Sequence, residues 1–122
     1  MIFNGTILNV CDNSGVKWVQ CLKILGKNPR SFGKPGDIIV VSIQSTKSLS
    51  KIKKKDIYKA IIVRVKKKIS REDGSSISFS KNSVVLLNAK GSPIGSRIFG
   101  PVAKELRIKK NIKLVSLCTK MM

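Results

Sequence analysis

The chain has 122 residues, 42% of them hydrophobic, which suits one domain with its own core and excludes global disorder. Lysine plus arginine is 25 against 6 carboxylates, a formal net charge of +19, so a compact body of this size repels itself until an anionic partner offsets the charge. No run reaches the apolar length of a membrane span, and the three cysteines, Cys11, Cys21 and Cys118, lack metal-ligand spacing.

Turn signals at short intervals predict a mostly β chain. A first strand is expected over residues 6–10, followed by the turn Asp12-Asn13-Ser14-Gly15. Residues 17–25 alternate, with Trp18, Gln20, Leu22 and Ile24 on one face and Lys17, Val19, Cys21 and Lys23 on the other. A basic loop follows over 26–34, and Pro35-Gly36 suits the centre of a type II turn. Residues 37–43 read as a strand covered on both sides, and 44–50 as a polar loop.

The segment KKKDIYKAIIVRVKKK, residues 53–68, sets an apolar core between two lysine triplets. Ile57, Ile61, Val63 and Val65 fall on one face; Tyr58, Ala60, Ile62, Arg64 and Lys66 fall on the other. Both faces are apolar from Ala60 to Val63, which suits a strand crossing a barrel core. Asp73-Gly74 is a strong hairpin signal. A two-residue type I′ loop there pairs Glu72 with Ser75 and Ser70 with Ile77, with a return strand over 76–79. Lys66, Lys67 and Lys68 then sit on an arm projecting from the body. Residues 84–87 are a buried strand and 88–96 a loop. Pro101 suits the first position of a short helix over 101–107, anchored by Val102 and Leu106, and 112–117 forms a last strand or extended tail. With no repeat or linker, residues 1–122 form a single domain.

The side-chain inventory argues against an enzyme. There is no histidine, and Asp12, Asp37 and Asp73 sit where turn chemistry explains them. No glycine-rich phosphate loop is present, and a cysteine nucleophile has no histidine base. No cofactor is implied. Lysines outnumber arginines 20 to 5, which favours contact with a phosphate backbone over reading of bases. Trp18, Tyr58 and Phe79 fall at plausible core positions, and no paired aromatic platform is visible, so folded, helical RNA is a better partner than single strands. The expected phosphate surface is Lys51, Lys53, Lys54, Lys55, Arg64, Lys66, Lys67, Lys68, Arg71 and Lys81, with Asn13 and Lys17 added at the first turn. A free-standing RNA chaperone and an exported polyanion-binding protein are the rival readings.

Several stretches carry a resemblance. Ala60-Ile61-Ile62-Val63, then Asp73-Gly74, Phe79, Asn82 and Val85-Leu86, have the spacing of a family signature. Cys11-Asp12-Asn13-Ser14-Gly15-Val16, Gly36-Asp37-Ile38-Ile39, PIGSRIFGPV at 93–102, Lys104-Glu105-Leu106-Arg107 and Lys113-Leu114-Val115-Ser116-Leu117 extend it over nearly the whole chain. The chain resembles the family of ribosomal protein fourteen of the large subunit. The resemblance implies a five-stranded β-barrel with a projecting hairpin and a short helical C-terminal part, without catalytic activity. It implies binding to large-subunit rRNA, a place on the face that meets the small subunit and its rRNA, and contacts with large-subunit proteins nineteen and three. Family members can also be bound by a ribosome-silencing factor; Ser96, Arg97 and Lys113 match that exposed surface by position, and Arg97 and Arg107 are candidates for intersubunit or partner contacts.

Three departures stand out. Lys54-Lys55-Asp56 replaces a Lys-Lys-Gly-Asp run, so the glycine that suits a positive-φ turn is missing. The loop KNPRSFGKP carries one arginine where relatives often have a pair, and Cys118-Thr119-Lys120-Met121-Met122 replaces an acidic, proline-containing tail. Abundant Ile, Lys, Ser and Asn, with alanine only at 60, 89 and 103, point to AT-rich codons. MIFNGTILNV runs almost directly into a strand pattern, with no secretory signal or arginine-rich transit peptide visible, so the expectation is a protein made in the compartment where it works or one that has already lost a presequence. These features favour a mitochondrial ribosome, then a plastid or an AT-rich bacterium.

Overall fold

The computed structural model describes residues 2–26, 32–46, 52, 54–66, 69–70, 74–79, 81–95 and 98–103. Its strands are β1 (Ile7–Val10), β2 (Val16–Ile24), β3 (Ile38–Thr46), β4 (Ile57–Arg64), β5 (Ile69–Ser70), β6 (Ser76–Ile77) and β7 (Ser83–Leu87). Five of them close a barrel in the order β1-β2-β3-β4-β7, and β5-β6 form a separate two-stranded sheet. Closure pairs β1 with β7 in parallel, Asn9 against Ser83 and Val10 against Val84; the other barrel pairings are antiparallel. The expected barrel with an added hairpin is the observed architecture.

The core has two layers that share β4 and β7. Inside the barrel lie Leu8, Val19, Cys21, Ile39, Val41, Ile43, Ala60, Ile62, Val84 and Leu86. Outside β4 and β7, a second cluster joins Cys11, Ile61, Val63, Val85 and Leu87 to Ile98 and Val102. The 98–103 segment is held there by Phe99 N–H to Cys11 O at 2.6 Å and Ala103 N–H to Val63 O at 3.1 Å. Ala60 to Val63 are therefore buried on both faces, as their sequence suggests, and each buried Ile or Val contributes roughly 1.5–3 kcal/mol.

Bulges correct the expected faces. On β2, Val16 pairs with Thr46 but Trp18 with Ser45, and Cys21 pairs with Val41 but Lys23 with Val40. Lys17 and Leu22 are thus extra residues, and the buried positions become Val16, Val19, Cys21 and Ile24. Trp18 (38% exposed) and Leu22 (40%) lie outside, not in the core as a strict two-residue period places them. On β4, Ile62 opposes Val84 and Arg64 opposes Ser83, so Val63 is extra and Val65 joins Ala60 and Ile62 inside the barrel instead of Ile61 and Val63.

Other boundaries also differ. β3 runs on to Thr46, through positions expected to be loop, because Val16 to Val19 supply its partners. Its burial alternates, with Ile38 exposed, so it is covered mainly on the barrel side. The Pro35-Gly36 turn forms as expected: Asp37 N–H donates to Lys34 O at 3.0 Å, Gly36 takes φ 88°, and Asp37 Oδ2 accepts from Lys34 N–H at 2.7 Å. In the hairpin, Ser70 pairs with Ser76 and not with Ile77. Five residues then lie between the pair, an odd number that a two-residue loop cannot give; Gly74 takes φ 87°. The expected return strand stops at Ile77, although Phe79 N–H still donates to Val65 O at 3.0 Å. Residues 101–103 are not helical; the rest of the expected helix and the 112–117 tail lie outside the described residues.

The turn before β4 survives its missing glycine. Lys55 itself adopts φ 67°. Its N–H donates to Ile43 O at 2.7 Å while Ile43 N–H donates to Asp56 O at 2.9 Å, so Lys55 and Asp56 together oppose Ile43 as a bulge with a left-handed first residue. A lysine there costs about 1–2 kcal/mol of backbone strain, which the flanking ladder holds in place.

Candidate nucleic-acid interface

The described members of the expected phosphate surface divide between the two ends of β4. Lys54 and Lys55 are exposed at its start; Arg64 and Lys66 mark its end. An eight-residue strand separates them by roughly 25 Å at about 3.3 Å per residue, so the two clusters are separate patches. Lys51, Lys53, Lys67, Lys68 and Arg71 lie outside the described residues, as do Ser96, Arg97, Arg107 and Lys113 of the expected partner surface. Asn13 is exposed on the first turn, its Oδ1 against Gly95.

The fold brings Lys17, Arg64 and Lys81 to one cleft of about 650 Å³, at the seam where β1, β4 and β7 meet. The two bulges aim the first two: Lys17 is the extra residue of β2, and Arg64 follows the extra Val63 of β4. Lys81 arrives from the turn into β7, where Asn82 Oδ1 accepts from Lys66 N–H at 2.7 Å and ties that turn to the end of β4.

Arg64 is half-buried, and its Nε is a buried donor without a hydrogen-bond partner among the described residues. Its charge acts on the Cys11 thiol, which itself donates to Val84 O at 3.5 Å, and its guanidinium lies against Gly100, where a Cβ would come within 2.6 Å of Nη1. Gly100 also takes φ 79°, so both space and backbone favour glycine beside this arginine. Burial pushes the Cys11 thiol up to about 11, against the lowering pull of Arg64. Burial raises the Cys21 thiol as well.

The carboxylate in this region is already engaged. Asp12 is buried; its Oδ1 accepts from the N–H and hydroxyl of Ser14, and its Oδ2 accepts from Leu86 N–H at 3.2 Å. The cleft walls also carry Phe79, half-buried, and Phe99, 53% exposed. Sequence reasoning missed Phe99, because the backbone pairing of Ile98 and Phe99 with Cys11 and Asp12 brings it to this seam from a distant part of the chain. It also missed an aromatic pair elsewhere: Phe3 and Phe32 meet edge to face at 6.2 Å, and Lys34 Nζ stands 5.7 Å from the Phe32 ring. The Ile2–Gly33 bridge is what joins those distant positions. Among the described residues, no group of His, Cys, Asp and Glu could hold a metal ion, and no helix is long and apolar enough to cross a membrane.

Barrel and cleft together define a cationic β-barrel protein whose charge gathers where the strands leave the core. The family model of ribosomal protein L14p/L23e matches residues 1–122, so the chain belongs to that family. The family is structural and non-enzymatic, its place is the ribosome, and its partners are rRNA and proteins of the large subunit.

Proposed function

We propose that this protein binds large-subunit rRNA by neutralising phosphates with two lysine-rich patches held at the ends of β4, and that it contributes to the face that meets the small subunit during translation. The observation that carries the reading is the gathering of Lys17, Arg64 and Lys81 at one cleft whose lining holds a single carboxylate, Asp12, bonded to Ser14 and Leu86. A chain of net charge +19 with cations left for a partner is built for a polyanion. Lys51, Lys53, Lys54, Lys55, Lys66, Lys67, Lys68 and Arg71 extend the phosphate surface, with Asn13 at its edge. Ser96, Arg97, Arg107 and Lys113 are the proposed contacts to the small subunit's rRNA, large-subunit proteins nineteen and three, or a ribosome-silencing factor. The favoured setting is a mitochondrial ribosome, on codon-biased composition. Salt-dependent binding to purified large-subunit rRNA tests the reading: about eight neutralised phosphates give a log–log slope of roughly −6 to −7. A slope near zero overturns it.

A further inference from the structure

The cleft is built differently from the rest of the cationic surface. A phosphate-tracking surface needs only exposed lysines. Here a half-buried arginine lines a recess, its Nε stripped of water and without an acceptor among the described residues, with two aromatic rings in the same walls. That Nε is closed off from the cleft as well as from water, so what Arg64 can offer a ligand is the rest of its half-buried guanidinium. Arginine pairs a planar donor fork with a face that stacks on rings, which suits a nucleotide better than a bare ion. The cleft volume, about 650 Å³, falls in the range of sites that enclose one small organic ligand. A duplex presents its backbone outward and keeps its bases stacked, so it would reach the rim lysines and leave the recess unfilled.

We propose that the cleft takes a single unpaired nucleotide of the RNA, its phosphate met by Lys17, Lys81 and Arg64 and its base laid against Phe79 and Phe99. The proposal rests on the rRNA-binding reading above and adds a site that depends on ring contact as well as charge. Asp12 also lines the cleft and keeps its charge, but its oxygens are held by Ser14 and Leu86, and Lys17, Arg64 and Lys81 outnumber it three to one. Gly100 keeps room for the guanidinium, since any side chain there meets Nη1.

The test uses the full chain and purified large-subunit rRNA. Phe99 is more than half exposed, so Phe99→Ala leaves the barrel folded, and Arg64→Lys keeps the charge while removing the planar fork. Each variant is expected to bind roughly tenfold more weakly with an unchanged salt slope, because removing a stacking ring or a donor fork releases no counterions. Zero-length ultraviolet crosslinking of the wild-type complex is expected to leave one nucleotide on a peptide containing Cys11, Phe79 or Phe99. Variants that bind as the wild type does, with no such crosslink, overturn the cleft site while leaving the phosphate surface standing. A Phe99→Ala protein with normal RNA affinity but poor incorporation into the subunit assigns the cleft to a protein partner and also overturns it. Absence of any RNA binding by the wild type overturns both readings.

Discussion

Asp12 and Leu86 are joined by a hydrogen bond from the Leu86 N–H to Asp12 Oδ2 at 3.2 Å, across 74 positions of sequence. The same carboxylate closes the first turn through Ser14, so one buried side chain fixes both the β1–β2 connection and its distance from β7. Asp12→Ala leaves the buried Leu86 N–H without that acceptor and is expected to cost about 2–3 kcal/mol. Asp12→Asn retains one acceptor oxygen and is expected to lose less. Urea unfolding measures both; an Asp12→Ala loss under about 0.5 kcal/mol would mean the bond is ornamental.

Lys55 occupies a left-handed position that glycine fills without strain. Lys55→Gly is expected to raise stability by about 0.5–1 kcal/mol, the relief of αL strain less the entropy glycine loses on folding. The urea midpoint should rise with an unchanged slope. A fall would show that the lysine side chain contributes more at that turn than its backbone costs.

Cys11 links folding to alkaline pH. Its thiol is raised by burial from 9.0 to about 11, so above pH 9 the unfolded chain loses a proton that the folded chain keeps. The contribution is therefore complete below about pH 9 and is lost as pH rises through 11, a fall of about 2–3 kcal/mol. Cys21 acts in the same direction. Chemical unfolding at steps between pH 8 and 11 should show this fall, and Cys11→Ala should flatten much of it while costing some packing at neutral pH. Equal slopes in the two proteins would assign the alkaline loss to other groups.

Lys17 and Lys81 are exposed cations at the rim of the cleft. Changing both to Gln should weaken rRNA binding across all sequences and make the salt slope shallower by about 2, one for each phosphate no longer neutralised. Filter binding over a range of potassium concentrations gives the slope. Weaker binding with an unchanged slope would place these lysines away from phosphate.

How much of this was legible in the sequence varies with the physics of each element. The double-sided burial of β4 was legible, because the run from Ala60 to Val63 has no polar residue on either face. So were the turns at Asp12 and Pro35-Gly36, whose chemistry is local. The faces of β2 were not, because bulges at Lys17 and Leu22 advance the phase by one residue and leave no mark in composition. For the same reason Val65 changes layers after Val63. The hairpin register was one residue off because Asp-Gly serves more than one loop length. Lys55 shows that a missing glycine removes comfort from a turn without removing the turn. The place of the lysine clusters at the two ends of β4 was legible, because the apolar run lies between two lysine triplets; the meeting of Lys17, Arg64 and Lys81 was not, because it follows from barrel closure.

The most direct measurement of the central claim is gradient sedimentation of the tagged full chain from its native cells. The account predicts that it travels with the large ribosomal subunit, and that changing Lys66, Lys67 and Lys68 together to Ala lowers that fraction while the purified variant keeps its β-sheet circular dichroism. Wild-type protein that remains at the top of the gradient, apart from the large subunit, would contradict it.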